Sequence, residues 1–560
     1  MFVGVVGNQR TRHRFSGIGT TLVLADKQTC TDRQTSPWDG TSLKLRPRND
    51  MEHVSWLITL YACCRKKVAP ARDCIGAYDA LLGAQLVITL IMVSVIQKFS
   101  KYSFARWLLC SQGLYRYLYP DNNELKTLAG VPKDKPKGKK SGKSENGKPE
   151  TFHVPRSLEL QLETAPVTAL DVVHLRFYAE YLWIVDFSLY TSIVYVLSEI
   201  YTGIFPLKDE FNLSMVWCLL VVLFTFKILL SLTKQYFTSE ESIGERSTCI
   251  VAFCIFLLIA MMVLIVDESN LEVGVDPAYD SFYENASKFL ENQGLSSVGP
   301  ASKLILKLSL AVWAAIIGTL FTFPGLRVAR MHWDSLRYYD DNKLKVLLLN
   351  INFAMPFVLV LLWVRPITRH YLTVRVFSGM TSPLMTSQAF DTLRLLLVVV
   401  TVVIKLVLMP RQLQAYLDMA QRKLDSQKKE AGRITNIDLQ KKIASVFYYL
   451  CVVALQYLCP IILCLFLTLM YKTLGGYSWT GLLYDSEPAV RTLGQDSRTM
   501  PSTLDVEGIE QYQMAWENLK MIFTVEVHRG LLGFASWWCC FAWFLTTSLG
   551  TMYQSYFRIS

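Results

Sequence analysis

Long apolar runs alternate with polar stretches along most of this 560-residue chain. Each run has about 18–25 residues, which is enough for a helix to cross the hydrocarbon core of a bilayer. The pattern predicts an all-α, polytopic membrane protein with about nine hydrophobic spans, the first of which, 80–96, has the character of a signal anchor. The other eight are 177–201, 214–233, 248–266, 304–323, 346–364, 392–409, 445–470 and 530–553.

The composition agrees with this class. The chain is 52% hydrophobic and only 18% charged, which is too apolar for an ordinary soluble domain. A net charge of +11 suggests a nucleic-acid-binding protein at first sight. The excess of Lys and Arg, however, lies in particular loops between apolar runs, as membrane orientation requires. The partner that the sequence predicts is therefore the lipid bilayer and not nucleic acid.

The distribution of charge predicts which loops lie on the same side of the membrane. Loops 324–345 and 410–444 are rich in Lys and Arg, as is the hydrophilic segment 97–176, whereas loop 267–303 is acidic. The basic loops are expected in the cytosol, which places the N-terminus outside and the C-terminus inside. The sequons at Asn212 and Asn285 both fall in loops assigned to the outside, so both are glycosylation candidates.

The polar regions differ in character. Residues 1–79 are polar and irregular, which predicts a disordered extension or a misassigned translation start. Segment 97–176 is predicted to be a basic hydrophilic linker. The lysines of 133–148 lie in a Gly-, Pro- and Ser-rich context that cannot build a core, so they form either a solvated linker or a contact with anionic lipid.

Two further regions are a cytosolic amphipathic helix within 410–444, which continues the span before it, and an extracytosolic loop, 471–529. A short tail, 554–560, follows the final span.

Two charged residues stand well inside neighbouring apolar spans. Asp186 lies in 177–201 and Lys227 lies in 214–233, at nearly matching depths in an antiparallel hairpin. Each costs about 2.5–3.5 kcal/mol to place in lipid, so each is expected to face a protein interior and to find a partner there. We expect the two residues to pair. The pair would either neutralise charge and fix the register of the helices, or form part of an ion or proton relay.

Further polar side chains fall within the spans. The intramembrane candidates are Glu199, Asn350, Asn352 and Gln456. Side chains of this kind more often bond neighbouring helices than bind a ligand. If the protein is instead a transporter or channel, its path is predicted to run past Asp186, Lys227, Glu199, Asn350 and Asn352. Arg394 and Lys405 fall near opposite ends of the span 392–409, from which both are expected to extend towards water.

Known enzyme signatures are missing from the sequence. It contains no G-x-S-x-G, no P-loop and no H-E-x-x-H, and its thirteen cysteines form no C-x-x-C. The seven histidines form no pair at the spacing of helical metal ligands. We therefore expect a protein that is not an enzyme and that uses no metal or other cofactor.

Several ordered sequence words resemble the transmembrane protein 161 family. They are FARWLLC at 104–110, GERSTC at 244–249, LFTFPGLRVAR at 320–330, DTLRL at 391–395, LQAYLDMAQ at 413–421, KKEAGRI at 428–434, YYLCVVALQY at 448–457 and KTLGGYSW at 472–479. The resemblance begins at about Leu81 and is nearer to the B-type member, and residues 1–79 have no counterpart in it.

The resemblance implies a multi-pass glycoprotein without defined catalytic or pore residues. For B-type members it implies a role in membrane excitability and cardiac rhythm through potassium and calcium currents, with ion channels or other membrane proteins as partners. For A-type members it implies protection against oxidative stress. The first hypothesis is thus a non-enzymatic modulator of ion currents; the alternatives are a transporter or channel in its own right and a protein that protects against oxidative stress.

Overall fold

The computed structural model describes residues 103–128, 151–154, 161–204, 212–238, 243–292, 302–338, 342–379, 382–429, 434–482 and 521–559. The predicted first span, 80–96, the extension 1–79 and the lysines of 133–148 lie outside these residues. All described residues belong to one compact unit, Gly76–Ser560.

Helices dominate the described part of the chain. In order, its elements are α1 (Phe104–Cys110), β1 (Tyr115–Tyr117), α2 (Asn122–Leu128), β2 (His153–Val154), β3 (Thr164–Pro166), α3 (Ala169–Val172), α4 (Tyr178–Ile204), α5 (Leu213–Thr238), α6 (Ile243–Ile265), α7 (Val275–Asn292), α8 (Lys303–Tyr338), α9 (Lys343–Leu361), a π-helical turn (His370–Val374), α10 (Ser387–Leu417), α11 (Met419–Lys429), β4 (Ile434–Thr435), α12 (Asn436–Tyr448), α13 (Leu450–Leu474) and α14 (Val525–Ile559). Eight segments of the described chain are long and apolar enough to cross a membrane, so the polytopic all-α class is confirmed.

The bundle is organised around α13. In the spanning segment formed by α12 and α13, 94% of an 18-residue apolar stretch is buried inside the protein, whereas the corresponding stretch of α6 is only 22% buried and turns most of its apolar surface outwards. Helix α13 packs against α4, α5, α10 and α14, and α14 packs closely against α8. Because lipid tails are as apolar as leucine, a helix enclosed in this way is held by close packing and internal polar bonds and not by exclusion from water.

One end of the bundle gathers the loops that the charge pattern assigns to the outside. The backbone of Leu271 pairs with that of Val364, and the Glu272 N–H donates to the Trp363 carbonyl at 2.9 Å. Helix α7 lies against the start of α14, where Gly530 approaches Gly274 so closely that a Cβ on Gly530 would collide with the Gly274 carbonyl oxygen.

The opposite end carries a folded layer where the sequence indicates a linker. Strands β1 and β3, both within the predicted linker 97–176, pair with each other, and β2 of the same segment pairs with β4 at 434–435, in both cases antiparallel. Tyr115 N–H donates to Gln414 Oε1 at 2.9 Å, and the Tyr117 hydroxyl donates to Asp418 Oδ1 at 3.1 Å. The linker prediction is corrected for these residues, because their backbone groups gain hydrogen bonds both from a second strand of the same segment and from residues 284 and 299 positions away in sequence.

Most of the helices extend beyond the ends of the predicted apolar spans. Helix α8 runs from Lys303 to Tyr338 where the span was 304–323, and α10 runs from Ser387 to Leu417 where it was 392–409. Hydropathy marks the membrane-facing length of a helix, and polar turns continue it beyond that length.

Within 410–444, α10 continues beyond its apolar span to Leu417, α11 follows it from Met419 to Lys429, and α12 begins at Asn436. Thr435 caps α12 by accepting a hydrogen bond from the Asp438 N–H at 3.2 Å, as its local sequence indicates.

Candidate functional site

A buried network of charges at the outer end of the bundle is the strongest candidate site. Arg369 donates to Glu272 Oε1 at 2.6 Å and to Asp391 Oδ1 at 2.7 Å, and Arg394 donates to the same Asp391 oxygen at 3.0 Å. Arg394 is only 2% exposed, and its guanidinium lies 4.2 Å from the centre of the Trp363 ring. The network thus joins the loop before α7, the turn after α9, and α10.

Aromatic hydroxyls extend this network to α13 and α14. Arg394 donates to the Tyr471 hydroxyl at 3.2 Å, and Tyr471 donates to Tyr477 at 2.8 Å. Arg529, near the start of α14, donates to the Gly475 carbonyl at 2.6 Å and lies over the Tyr477 ring. The network therefore ties together five segments that are far apart in the chain.

A small pocket lies directly beneath Arg394, with room for about one water-sized particle. Its walls are mainly apolar, including Leu359 and Val398, but Arg394 and Ser536 also line it. Arg394 Nε and Nη1 and Ser536 Oγ are buried and make no hydrogen bond with any described residue, although Nη1 lies 3.8 Å from a Glu272 oxygen. The lining of this pocket therefore includes two side chains that carry buried, unpaired hydrogen-bond donors.

Lys405 lies on the same face of α10 as Arg394, eleven residues further along the helix. This separation corresponds to about 16 Å at 1.5 Å per residue. Lys405 is 2% exposed, its Nζ donates to the Asn352 carbonyl at 2.9 Å, and it stands 4.4 Å from the centre of the Trp543 ring. No carboxylate of a described residue forms an ion pair with it. Neither Lys405 nor Arg394 extends to water as expected, because α10 is longer than the predicted span and buries this face.

Glu199 and Lys472 form an ion pair between two spanning helices. Lys472 Nζ, at the end of α13, binds Glu199 Oε2 near the end of α4, and the Thr473 hydroxyl donates to Glu199 Oε1 at 3.0 Å. Tyr195 and Thr473 hydroxyls lie 3.0 Å apart, and Lys472 Nζ lies 5.7 Å from the centre of the Trp479 ring. Of the predicted intramembrane residues, Glu199 is thus the one engaged in an ion pair.

The structure does not join Asp186 to Lys227. Asp186 instead accepts a hydrogen bond from the Ala105 N–H at 2.9 Å, at the first turn of α1, where backbone N–H groups lack partners within the helix. Lys227 is exposed on α5 and forms no ion pair with a described residue. Similar depth along a hairpin does not determine the direction in which each side chain points around its helix.

The other predicted polar residues divide between the interior and the surface. Asn352 is buried, and its backbone carbonyl holds Lys405. Gln456 is buried and donates to the Tyr236 hydroxyl at 3.2 Å. Asn350 is exposed on the outside of α9, away from the interior that a path would use.

The two sequons lie in different surroundings. Asn212 Oδ1 accepts hydrogen bonds from the Ser214 N–H at 3.1 Å and from its hydroxyl, at the start of α5. Asn285 lies within α7, where its Nδ2 donates to the Ser281 carbonyl at 2.8 Å. The Asn285 sequon is therefore part of a helix and not of an open loop.

A second group of charges lies outside the membrane-spanning segments, on α7. Asp276 forms ion pairs with Lys307 at 2.8 Å and with Lys303 at 3.0 Å. Burial raises the pKa of Asp276, but the hydrogen bonds and charges of the two lysines outweigh burial and hold that pKa below its ordinary value of 3.8. These pairs attach α7 to the start of α8.

Metal binding finds no support in the described part of the chain, where no three His, Cys, Asp or Glu side chains are grouped as metal ligands. Comparison with known families is more informative. The family described as "Predicted transmembrane protein 161AB" matches residues 80–558. The chain belongs to the transmembrane protein 161A/B family.

The match covers every described residue except Ile559, so the outer charge network and the enclosed α13 lie within the part that the 161A/B family shares. No solved structure matches the chain.

The partners of Glu199 and Arg394 lie just outside the predicted apolar spans. Lys472 lies two residues beyond the predicted span 445–470, and Asp391 lies one residue before the predicted span 392–409. Opposite charges at the ends of spans, and not only within them, are therefore the sequence signal that identifies both partners.

Proposed function

We propose that this protein is a non-enzymatic, multi-pass membrane protein that modulates ion currents, chiefly of potassium and calcium, and hence membrane excitability, through partner proteins. The direction of this role comes from the resemblance to B-type members of the family. The structural support is that charged side chains within the bundle bind groups of the same chain: Asp186 caps α1, Glu199 binds Lys472, and Arg394 binds Asp391. Charges used in this way hold helices in fixed positions and favour a scaffold over a hydrated path.

The folded layer at the predicted cytosolic end provides a surface for such partners. It is built from β1, β3, α11 and α12, and it is continuous with the end of α10 through the contacts of Tyr115 and Tyr117. A partner bound there would be coupled mechanically to α10, which carries Arg394 and Lys405. The protein would then act on a current through a partner bound to this layer, and not through an internal pore.

The test compares currents in cells with flux through the purified protein. Potassium and calcium currents are recorded in cells that lack the protein and again after its return. Ion flux is measured separately in liposomes that hold the purified chain, with its folding and insertion verified. We expect altered currents in the cells and no flux in the liposomes. Unchanged currents in the cells would contradict the proposal.

A transporter or channel remains the second candidate because of one observation. The buried face of α10 carries two cations, Arg394 and Lys405, and the neighbouring helices supply buried polar atoms without partners among the described residues, including Asn352 Oδ1 and Gln456 Oε1. Flux in the liposome experiment that is lost in a Lys405→Met variant would support this candidate and exclude the scaffold role. Protection against oxidative stress, the third possibility, is supported by the resemblance alone.

A further inference from the structure

Four cations lie close together at the predicted cytosolic end of the bundle. Arg327 and Arg330 belong to α8, Lys423 to α11 and Lys442 to α12. The positive charges of the other three all act on the half-buried ammonium of Lys423. None of these four residues, here called the basic group, forms an ion pair with a described residue.

The carboxylates of the same helices do not balance the basic group. Asp334 of α8 forms an ion pair with Arg422, and Asp438 of α12 accepts a hydrogen bond from the Thr435 hydroxyl at 2.7 Å. Asp425 is exposed two positions after the lysine of the basic group on α11, and residues two apart on a helix do not face each other. Among the described residues, the basic group therefore keeps four positive charges that no carboxylate balances.

The basic group lies at the depth where the apolar spans end. The predicted span of α8 ends four residues before Arg327, and that of α13 begins three residues after Lys442. Tyr448 and Tyr449, at the junction of α12 and α13, are 45% and 37% exposed. Exposed aromatic rings at the ends of spans are typical of the membrane–water interface. The basic group thus lies at the level of the lipid headgroups, on the side that the charge pattern assigns to the cytosol.

Packing holds the basic group in place. Lys423 is half-buried, and the Arg327 guanidinium lies 5.9 Å from the centre of the Tyr416 ring on α10. Like charges held close together repel one another, so an anion that contacts several of them at once would stabilise the arrangement. Phosphate is the anion that an arginine fork fits best, because two parallel hydrogen bonds can form.

The number of charges indicates the kind of phosphate. A phosphomonoester carries about 1.5–2 negative charges at neutral pH, so an inositol headgroup with two phosphomonoesters and its phosphodiester carries about four. A phosphatidylserine headgroup carries a net charge of about one and would balance only part of the basic group. We propose that the basic group is a binding site for the headgroup of a phosphatidylinositol bisphosphate of the cytosolic leaflet.

The proposed site goes beyond the proposed function and does not depend on it. A headgroup bound there would contact α8, α11 and α12 together, and it would thereby attach the folded cytosolic layer to the bilayer surface. This attachment would exist whether or not the protein affects a current. Lipid binding by the purified chain therefore tests the site without any measurement of current.

The first measurement is the binding of a fluorescent, short-chain phosphatidylinositol bisphosphate to the full purified chain in detergent micelles, followed by fluorescence polarisation. We expect saturable binding that weakens at least about tenfold in the double variant Arg330→Gln, Lys442→Gln, because two charged contacts are lost. The matched control, Arg337→Gln, Lys441→Gln, removes two exposed cations of the same helices whose charges do not act on Lys423. It should bind as the wild type does.

All four replaced side chains are exposed, so both double variants should melt at the temperature of the wild type, which verifies that they fold. Unchanged lipid binding in Arg330→Gln, Lys442→Gln would overturn the proposal and leave the basic group as solvated surface charge. Equal loss of binding in the control would also overturn it, because net charge alone would then determine the affinity.

Competition against the wild type distinguishes the sources of phosphate without any variant. Phosphatidylserine at the same total charge should displace the probe at least about tenfold less well, because it lacks phosphomonoesters. Soluble inositol trisphosphate should also displace it less well, because it is not concentrated in the micelle beside the site. Equal displacement by phosphatidylserine would make the basic group a general attractor of anionic lipid, and equal displacement by inositol trisphosphate would assign it to a soluble phosphate compound. Either result would overturn the proposal.

Discussion

The ion pair between Glu199 and Lys472 offers the sharpest test of how the bundle is held together. The two side chains are 17% and 10% exposed, and they join the ends of α4 and α13. Replacing Glu199 by Gln leaves the Lys472 ammonium without its carboxylate. Removal of one partner from a buried pair costs about 3–5 kcal/mol, and we expect about 3 kcal/mol here because Lys472 lies at a helix end and can extend towards water.

The double variant Glu199→Gln, Lys472→Met should recover much of that loss, because it removes both charges together. A double-mutant cycle should therefore give a coupling energy of about 2 kcal/mol. The assay is unfolding of the purified protein in mixed micelles by added sodium dodecyl sulfate, followed by tryptophan fluorescence. The matched control is the cycle for Asp186→Asn and Lys227→Met, in which the coupling should stay within about 0.5 kcal/mol because the two residues do not touch.

The two cycles together can refute the reasoning. Coupling below about 0.5 kcal/mol for Glu199 with Lys472 would mean that water screens the pair as it does at a protein surface. Strong coupling between Asp186 and Lys227 would mean that α4 and α5 are rotated relative to the arrangement described above. In the expected outcome, Asp186→Asn alone costs about 1 kcal/mol through a weakened helix cap.

Three further variants test other parts of the fold. Lys405→Met removes a buried charge that no described carboxylate balances, so the melting temperature of the variant should equal or exceed that of the wild type. A clearly lower melting temperature would show that the Lys405 ammonium is needed for stability. Gly530→Ala should lose about 1–3 kcal/mol because the new methyl group collides with Gly274, whereas Gly203→Ala, with open space around it, should cost nothing, and similar melting temperatures for both would contradict the close approach. Asp276→Asn should reduce the dependence of the melting temperature on acid pH: the pKa of Asp276 is lowered in the folded protein, so its carboxylate stabilises the protein above about pH 4 and loses this effect as the pH falls through the lowered pKa. The wild type should therefore melt at a higher temperature than the variant at about pH 6, and the difference should shrink steadily as the pH falls below about 4.

Local features of the fold were predictable where the sequence itself supplies both partners. Thr435 and Asp438 lie three positions apart, and their capping contact follows from helix geometry alone. The spans were predictable for a similar reason, since the length of an apolar run is a property of one continuous segment. The grouping of loops at two ends also agrees with the alternation of basic and acidic loops.

Contacts between distant segments were not predictable in the same way. Asp186 binds the N-terminus of α1, 81 positions away, and nothing in either segment identifies the other. The Glu199 partner lies 273 positions away, at a helix end that hydropathy places outside the span. Among the eight described spans, the rotation of each helix and the choice of its neighbours are decided by packing, which a hydropathy pattern does not describe.

The enclosure of α13 has a consequence for how the protein is made. This helix is the seventh of the eight described spans in chain order, yet α4, α5 and α10 pack against it. During synthesis those helices enter the bilayer before α13 exists, so the surfaces that pack against α13 face lipid or one another until α13 emerges from the ribosome. The early helices cannot reach their final packing before α13 has been inserted, so the order of synthesis makes assembly of this bundle a late event.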